Sequence, residues 1–178
     1  MKSIVIGVTG GIACYKAAEV VNELVKRGHL VDVIMTENAQ QFITPLTFQT
    51  LSRNPVVTDM FEPAAEWDVR HIALAQKADV FAIVPATANV IGKIACGIAD
   101  DMLTTTIMAA RCQKIIAPAM NTAMWENPIV QANIEKLRLY GYKVLDTDHG
   151  RLACGDIGPG KLLPWPAIVD AILTEAEP

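Results

Sequence analysis

The sequence predicts an α/β fold, in which helices cover both faces of one parallel sheet. Its 178 residues suit a single domain, and 52% of them are hydrophobic, which is enough for a full core. Short runs that are apolar on both faces are typical of strands buried beneath helices. These runs alternate with helical patterns, which indicates βαβ units. We therefore expect one three-layer αβα domain over residues 1–178.

Five short apolar runs are the predicted strands. They lie at residues 4–8, 30–35, 80–84, 115–117 and, more weakly, 143–145. Val56 and Val57 offer a further short strand. After the last run, residues 150–160 contain four glycines and a proline, so they predict a flexible surface flap of the domain rather than core.

Three helices are marked at their ends as well as by their apolar spacing. The first ends before Gly28, a residue suited to a helix C-terminus. The second begins at Asn127-Pro128, where Asn caps and Pro takes the first helical position, and it ends before Gly141. The last begins near Pro166. The apolar faces of the first and last helices consist of Ala17, Val20, Val21, Leu24 and Val25, and of Ile168, Val169, Ile172 and Leu173.

Composition excludes several classes of protein. The net charge is −4 and no basic stripe is present, which argues against a nucleic-acid partner. No apolar run is long enough to span a bilayer, and the N-terminus lacks a small-residue cleavage site. The four cysteines have no CxxC spacing, so we expect no metal site and reduced thiols in the cytoplasm. Cys14, Cys96 and Cys112 lie in helical patterns and are predicted to be small core residues.

The turn Thr9-Gly10-Gly11-Ile12 lies between the first strand and the first helix. Ligands of such sheets bind at the carboxyl ends of the strands, and a helix N-terminus favours a phosphate. The full GxGxxG fingerprint is absent, because Tyr15 stands near the place of its third glycine. The turn therefore favours a mononucleotide over a dinucleotide, with an ordinary tight turn as an equal alternative.

Two further polar stretches follow the third and fourth strands. Residues 85–89 are small or hydroxylated, which suits a flat ligand, although an ordinary turn capped by Asn or Thr explains them better on their own. Residues 118–125 contain Asn121, whose amide could hold a carboxylate. The Met and Trp side chains near it are more often packing residues than cofactor contacts.

His71 and Cys154 are the candidates for proton transfer. His71 begins a helical pattern, and an imidazole titrates near neutral pH, although a lone His is more often structural. Cys154 lies in the glycine-rich flap, unlike the other three cysteines. It could therefore reach a ligand as a proton donor or nucleophile, with a passive thiol as the alternative.

Four stretches, in order along the chain, are similar to one family. They are TGGIACYK, RHIALAQKADVFAIVPATANVIGKIACGIADD, APAMNTAMWENP and LACGDIGPGK. On these stretches the chain resembles the phosphopantothenoylcysteine decarboxylases, which are homo-oligomeric flavin-containing cysteine decarboxylases. The PxMNxxMW stretch and the cysteine flap are the specific ones. The chain departs from the family's pattern at Lys161, where the family often has Arg. Lys cannot make the bidentate contact with an anionic group that Arg makes.

The resemblance implies a flavodoxin-like fold, bound FMN and a homotrimer, either alone or assembled into a dodecamer. It implies a cytoplasmic lyase of coenzyme A biosynthesis. This enzyme decarboxylates 4′-phosphopantothenoylcysteine to 4′-phosphopantetheine through a thioaldehyde and an ene-thiolate. The implied catalytic residues are His71 and Cys154, and the implied substrate-binding residues are Asn121, Met124, Gly155 and Lys161. The implied FMN-binding residues are Gly10, Gly11, Ile12, Thr36, Phe42, Pro85, Ala86, Thr87, Ala88, Asn89 and Ala119.

Three alternatives remain open at this stage. The first is a decarboxylase of peptides that end in cysteine, which would use the same core chemistry with a different pocket. The second is a flavin prenyltransferase of the same fold, which would not need Asn121 together with Cys154. The third is a flavin-binding regulatory protein without catalysis, which the joint presence of His71, Asn121 and Cys154 disfavours.

Overall fold

The computed structural model describes residues 1–61 and 69–176. Its central sheet has five parallel strands in the order β2-β1-β3-β4-β5, which is the order of flavodoxin-like folds. The predicted α/β class is therefore confirmed. The strands are β1 (Ser3–Val8), β2 (Leu30–Met35), β3 (Val80–Ala86), β4 (Gln113–Pro118) and β5 (Lys143–Val144). The additional strand expected near Val57 is only a single bridge to Ile34.

Within the described residues, eight α-helices accompany the sheet, together with a short 3-10 helix at Glu37–Gln41. The α-helices are α1 (Cys14–Lys26), α2 (Pro45–Ser52), α3 (Arg70–Lys77), α4 (Ala88–Ala95), α5 (Met102–Ala109), α6 (Thr122–Trp125), α7 (Pro128–Leu139) and α8 (Trp165–Ala176). Gly28 follows α1 with a φ of 83°, as expected of a helix C-terminus. Asn127 caps α7 by accepting a hydrogen bond from the Ile129 N–H at 2.9 Å.

Two hydrophobic cores lie on the two faces of the sheet. Because side chains alternate along a strand, Ile4 and Ile6 of β1 enter one core and Val5 enters the other. Helices α1, α2 and α8 cover the first face, and α3, α4, α5 and α7 cover the second. None of the helices described is long and apolar enough to cross a membrane. The layers leave the carboxyl edge of the sheet open between the loops.

Two sequence predictions need correction. Cys14 is buried as expected, but Cys96 is exposed because it ends α4, and Cys112 is half-buried in the loop after α5. The segment 150–160 is not simply a flexible surface flap. It belongs to an antiparallel hairpin of β6 (Asp148–Arg151) and β7 (Ile157–Lys161), in which Gly158 and Gly160 are buried. We call this hairpin, residues 148–161, the flap hairpin.

Candidate functional site

Thr9 joins the loops that follow β1 and β3. Its side chain is fully buried, and its hydroxyl donates a 2.6 Å hydrogen bond to the Pro85 carbonyl. The same oxygen accepts a 3.1 Å hydrogen bond from the Thr87 N–H. A buried hydroxyl that both donates and accepts fixes the two loops relative to each other. From the sequence, Thr9 was identified only as part of the glycine turn, and no contact was predicted for it.

The two glycines of the first loop have different surroundings. A Cβ on Gly10 would lie 2.8 Å from the Asn38 carbonyl carbon, so only glycine lets the loop after β2 approach this closely. A Cβ on Gly11 would meet only Thr87 Cγ2, at 3.7 Å. Gly10 thus packs the loops together, whereas Gly11 borders open space at the start of α1.

A cavity of about 560 Å³ lies among these loops at the carboxyl edge of the sheet. This volume is typical of small-molecule sites. Of the residues predicted to bind FMN, those that line the cavity are Gly10, Gly11, Thr36, Thr87, Ala88, Asn89 and Ala119. Sequence reasoning missed several of the lining residues, namely Glu37, Asn38, Lys93, Asp100, Asp101 and Met120. We call this space the first cavity.

The charged groups of the first cavity are largely paired. Lys93 Nζ donates to Asp100 Oδ1 at 2.7 Å and to Asp101 Oδ2 at 3.3 Å. The hydrogen bond to Asp100 raises the pKa of Lys93 and lowers the pKa of the Asp100 carboxyl. Asp101 also caps α5 by accepting the Thr104 N–H at 2.7 Å. These ion pairs hold the beginning of α5 against the wall that α4 provides.

Four of the predicted FMN-binding residues do not line the first cavity. Ala86 is fully buried within β3, and the Pro85 carbonyl is engaged by Thr9. Phe42 is 53% exposed and follows the 3-10 helix. Ile12 lies instead at the mouth of a neighbouring cavity. In this single chain none of the four lines the first cavity, and the FMN contacts predicted for them stay predictions.

The neighbouring cavity, of about 600 Å³, lies between the start of α1 and the flap hairpin. It shares Gly11, Ala119 and Met120 with the first cavity, so the two spaces are adjacent. We call it the second cavity. Three of the residues predicted to act on the substrate meet here, namely Asn121, Cys154 and Lys161. Met124 lines the first cavity instead, and Gly155 lies in the turn at the tip of the hairpin.

Asn121 is held by its own helix. Its Oδ1 accepts a 2.9 Å hydrogen bond from the Met124 N–H and so caps α6. An amide whose oxygen is occupied by a backbone donor presents its NH₂ group elsewhere. The half-buried Asn121 lines the second cavity, so its NH₂ group is available to donate to a ligand there.

The flap hairpin is docked at its base. The Met120 N–H donates to the Gly160 carbonyl at 2.9 Å, and the Thr122 hydroxyl donates to the Pro159 carbonyl at 2.9 Å. Gly160 has a φ of 108°, and a Cβ there would lie 2.5 Å from the Met120 carbonyl oxygen. Only glycine satisfies both conditions, which explains the glycine content of this strand.

Charges also link the two strands of the hairpin. Lys161 Nζ donates to Asp148 Oδ2 at 2.9 Å across the strand pair. This ammonium holds the pKa of the Asp148 carboxyl below its usual range, and the charge of Lys16 contributes further. Lys161, which replaces the family's frequent Arg, is thus committed to an ion pair within the hairpin.

Cys154 lies at the exposed tip of the hairpin. Its thiol donates to Asp156 Oδ2 at 3.3 Å, and the turn is closed by the Leu152 N–H, which donates to the Asp156 carbonyl at 2.8 Å. Among the described residues, the tip at 152–156 forms hydrogen bonds only within itself. From this exposed tip Cys154 lines the second cavity.

His71 does not line either cavity. It lies in the first turn of α3, is half-buried, and belongs to a helix packed mainly against α5. The buried side of α3 is marked by Ala75. The structure thus brings together Asn121 and Cys154 but leaves His71 apart from them.

Comparison with known proteins gives a family match over nearly the whole chain. A model of the flavoprotein family matches residues 1–177. The probable phosphopantothenoylcysteine decarboxylase of Streptococcus mutans is 44% identical, over 96% of this chain and 97% of the relative. The coenzyme A biosynthesis bifunctional protein CoaBC of Borreliella burgdorferi is 47% identical, over 98% of this chain and 44% of its own length. The chain therefore spans less than half of that bifunctional relative.

Solved structures give the same relationship. The FMN-dependent cysteine decarboxylase SpaF superposes with a TM-score of 0.85 at 34% identity, covering 99% of this chain and 98% of that one. A cysteine-to-serine mutant of a phosphopantothenoylcysteine decarboxylase, complexed with pantothenoylaminoethenethiol, superposes with a TM-score of 0.87 at 28% identity. That match covers 97% of both chains.

Proposed function

The chain belongs to the flavoprotein family, and from this membership we propose that it is an FMN-dependent decarboxylase of 4′-phosphopantothenoylcysteine. The observation that carries the proposal is the adjacency of two cavities at the carboxyl edge of the sheet. The first has room for a cofactor, and the second holds the amide of Asn121 and the thiol of Cys154. The product, 4′-phosphopantetheine, is used in coenzyme A biosynthesis. The names of the bifunctional relatives refer to this pathway.

The first cavity fits a flavin mononucleotide. Helix α4 begins on its wall and α1 begins just beyond Gly11, so backbone N–H groups and helix dipoles favour a phosphate there. The open space beside Gly11 is a cradle that any larger side chain would fill. Gly10, Gly11, Thr36, Thr87, Ala88, Asn89 and Ala119 would hold the cofactor. When bound, the flavin supplies the reversible two-electron acceptor that a plain cysteinyl carboxylate lacks.

The chain's own groups orient the substrate and move protons. The NH₂ group of Asn121 donates to the substrate carboxylate and holds it for loss of carbon dioxide. The thiol of Cys154 then donates a proton to the carbon that has lost the carboxylate, which converts the ene-thiolate to a thioaldehyde. The reduced flavin, when bound, would supply the two electrons that convert this thioaldehyde to the saturated thiol. The flap hairpin covers the second cavity and excludes water during these steps. The four cysteines are free thiols, which supports a reducing compartment, the cytoplasm.

A direct assay tests this proposal. The purified protein should be yellow, and denaturation should release FMN, identified by its mass, because the loops at the first cavity suit one nucleotide. It should release carbon dioxide from 4′-phosphopantothenoylcysteine and form 4′-phosphopantetheine. Release of FAD would contradict the cofactor assignment. A yellow protein without turnover would indicate a regulatory flavin-binding protein, and turnover of cysteine-terminal peptides alone would indicate a peptide decarboxylase.

We also propose that the enzyme is a homotrimer, alone or within a dodecamer, and that a second copy brings His71 to the site. The support is that His71 lies apart from both cavities in one chain, although it is the best candidate for proton exchange. Head-to-tail contacts in a ring place the same residue of each subunit against its neighbour's site. Phe42, which is 53% exposed in one chain, would then help to form the wall of a site shared with the neighbouring subunit.

Mixing two inactive variants tests this arrangement. We expect His71→Asn and Asn121→Asp each to be folded, yellow and nearly inactive. Co-expressed at equal levels, they should recover about a quarter of wild-type activity, because a random pair of neighbours supplies both intact residues in that share of sites. The readout is carbon dioxide release by the separated mixed oligomers. Activity no higher than that of the single variants would mean that one chain supplies both residues.

A further inference from the structure

Thr9 differs from the other buried threonines in what its hydroxyl contacts. Among the described residues, the fully buried threonines are Thr9, Thr104 and Thr106. The hydroxyls of the latter two act within α5 and its cap, where Thr106 donates to the Met102 carbonyl at 2.6 Å. Both hydrogen bonds of Thr9 instead reach the loop after β3, 76 and 78 residues further along the chain. A local bond only satisfies the hydroxyl, whereas the bonds of Thr9 restrain one loop against another.

Thr87, which receives the second of these bonds, is the N-cap of α4. Its N–H donates to Thr9 Oγ1 at 3.1 Å, and its own hydroxyl oxygen accepts the Val90 N–H at 3.4 Å. Its carbonyl accepts the Ile91 N–H at 3.0 Å. The first turn of α4 is thus tied to Thr87, and Thr87 is tied to β1 through Thr9. Removal of the Thr9 hydroxyl would leave the Thr87 N–H without this partner, which is costly for a donor that is partly buried.

The loops that meet at Thr9 both line the first cavity. Ala88 and Asn89, the first two residues of α4, lie on its wall. The first N–H groups of a helix have no partner within that helix, so these two are donors for a ligand in the cavity. On the other side, the Thr9 carbonyl accepts the Gly11 N–H at 3.0 Å, and Gly11 lies on the same wall. One buried residue therefore sets the relative position of the two groups of donors.

We propose that Thr9 is a positioning residue for the cofactor, which sets the affinity for FMN without touching it. Thr9 lines neither cavity, so it acts through Thr87 and the first turn of α4. Donors that are held in place before the ligand arrives need no ordering when it binds, and the ligand is bound more tightly for that reason. The inference rests on the proposed function, because FMN is the ligand assigned to the first cavity.

Release of FMN from the holoenzyme tests the proposal. Dilution, followed by the fluorescence of released FMN, gives a Kd without any assay of turnover. Thr9→Val keeps the shape of the side chain but removes both hydrogen bonds, so it should raise the Kd about tenfold, the scale of one or two lost hydrogen bonds. Thr9→Ser keeps the hydroxyl and should stay within about threefold of the wild type. If Thr9→Val does not fold, Thr9→Ala takes its place with the same expectation, since it sets no apolar group against the Thr87 N–H.

The matched control is Thr106→Val, which makes the same change at a fully buried threonine that lines neither cavity. It should lower the midpoint temperature of unfolding, as Thr9→Val does, but leave the Kd for FMN within about twofold of the wild type. A wild-type Kd in Thr9→Val would overturn the inference and leave the proposed function in place. An equal rise in Thr9→Ser or in Thr106→Val would also overturn it, because packing or general stability would then set the affinity. A wild-type protein that holds no FMN would contradict the proposed function and this inference with it.

Discussion

Cys154→Ser should release carbon dioxide once per site and then stall, with steady-state kcat lowered by at least about 100-fold, the usual scale for loss of a general acid. Serine nearly preserves the shape of the turn, but an alcohol is a far weaker acid than a thiol. Orientation and loss of the carboxylate do not need this proton, so they should proceed. Mass spectrometry of a single-turnover mixture should show a product two hydrogen atoms lighter than 4′-phosphopantetheine.

The control for this variant is Cys96→Ser, which changes an exposed thiol at the end of α4 that lines neither cavity. It should keep wild-type activity. Formation of the saturated product by Cys154→Ser at the normal rate would remove Cys154 as the donor. Failure to release any carbon dioxide would show that the hairpin tip acts in binding.

Asn121→Asp should lower kcat/KM by about 100-fold or more, as expected when a donor aimed at a reacting group is lost. Aspartate caps a helix as well as asparagine, so it should still accept the Met124 N–H and leave α6 in place. The change replaces the NH₂ donor with a negative charge, which repels the substrate carboxylate at close range. The FMN content and the midpoint temperature of unfolding should stay near those of the wild type, whereas the rate of carbon dioxide release should fall.

The matched control is Asn127→Asp. Asn127 caps α7 in the same manner, through the Ile129 N–H at 2.9 Å, but it lines neither cavity. It should therefore leave both activity and stability unchanged. If Asn121→Asp turns over normally, Asn121 does not hold the carboxylate. If it unfolds the protein, its role in capping α6 dominates.

The fold was predictable because its signals are local. Strand β2 was placed to the residue, since five of its six residues are apolar. The cap at Asn127 also follows from neighbouring residues alone. The strand expected at Val57 is only one bridge. Strand pairing at the edge of a sheet depends on the path of the loop rather than on its composition. Cys96 was wrongly predicted to be a core residue, because the helical pattern does not show that α4 ends just before it.

The site was predictable only where the sheet brings loop residues together. Asn121 and Thr87 follow strands and so reach the carboxyl edge whatever the loop does. The role of Thr9 was missed, because its two hydrogen bonds join segments remote in sequence. Lys16 and Arg151, which line the second cavity, were also missed, since α1 and β6 become neighbours only in the fold. Docking of the hairpin base by Gly160 likewise depends on a contact that no local pattern encodes.

The docked base of the flap hairpin has a consequence for how such enzymes diverge. Gly160 accepts from Met120, its N–H donates to Thr147 Oγ1 at 3.0 Å, and Pro159 accepts from Thr122. The hairpin and the loop carrying Asn121 therefore form one inherited unit, although they are separate segments of the chain. A chimera that receives only a relative's hairpin would place foreign side chains against the Met120 carbonyl. New substrate range should thus arise by joint exchange of both segments, or by substitutions confined to the tip around Cys154.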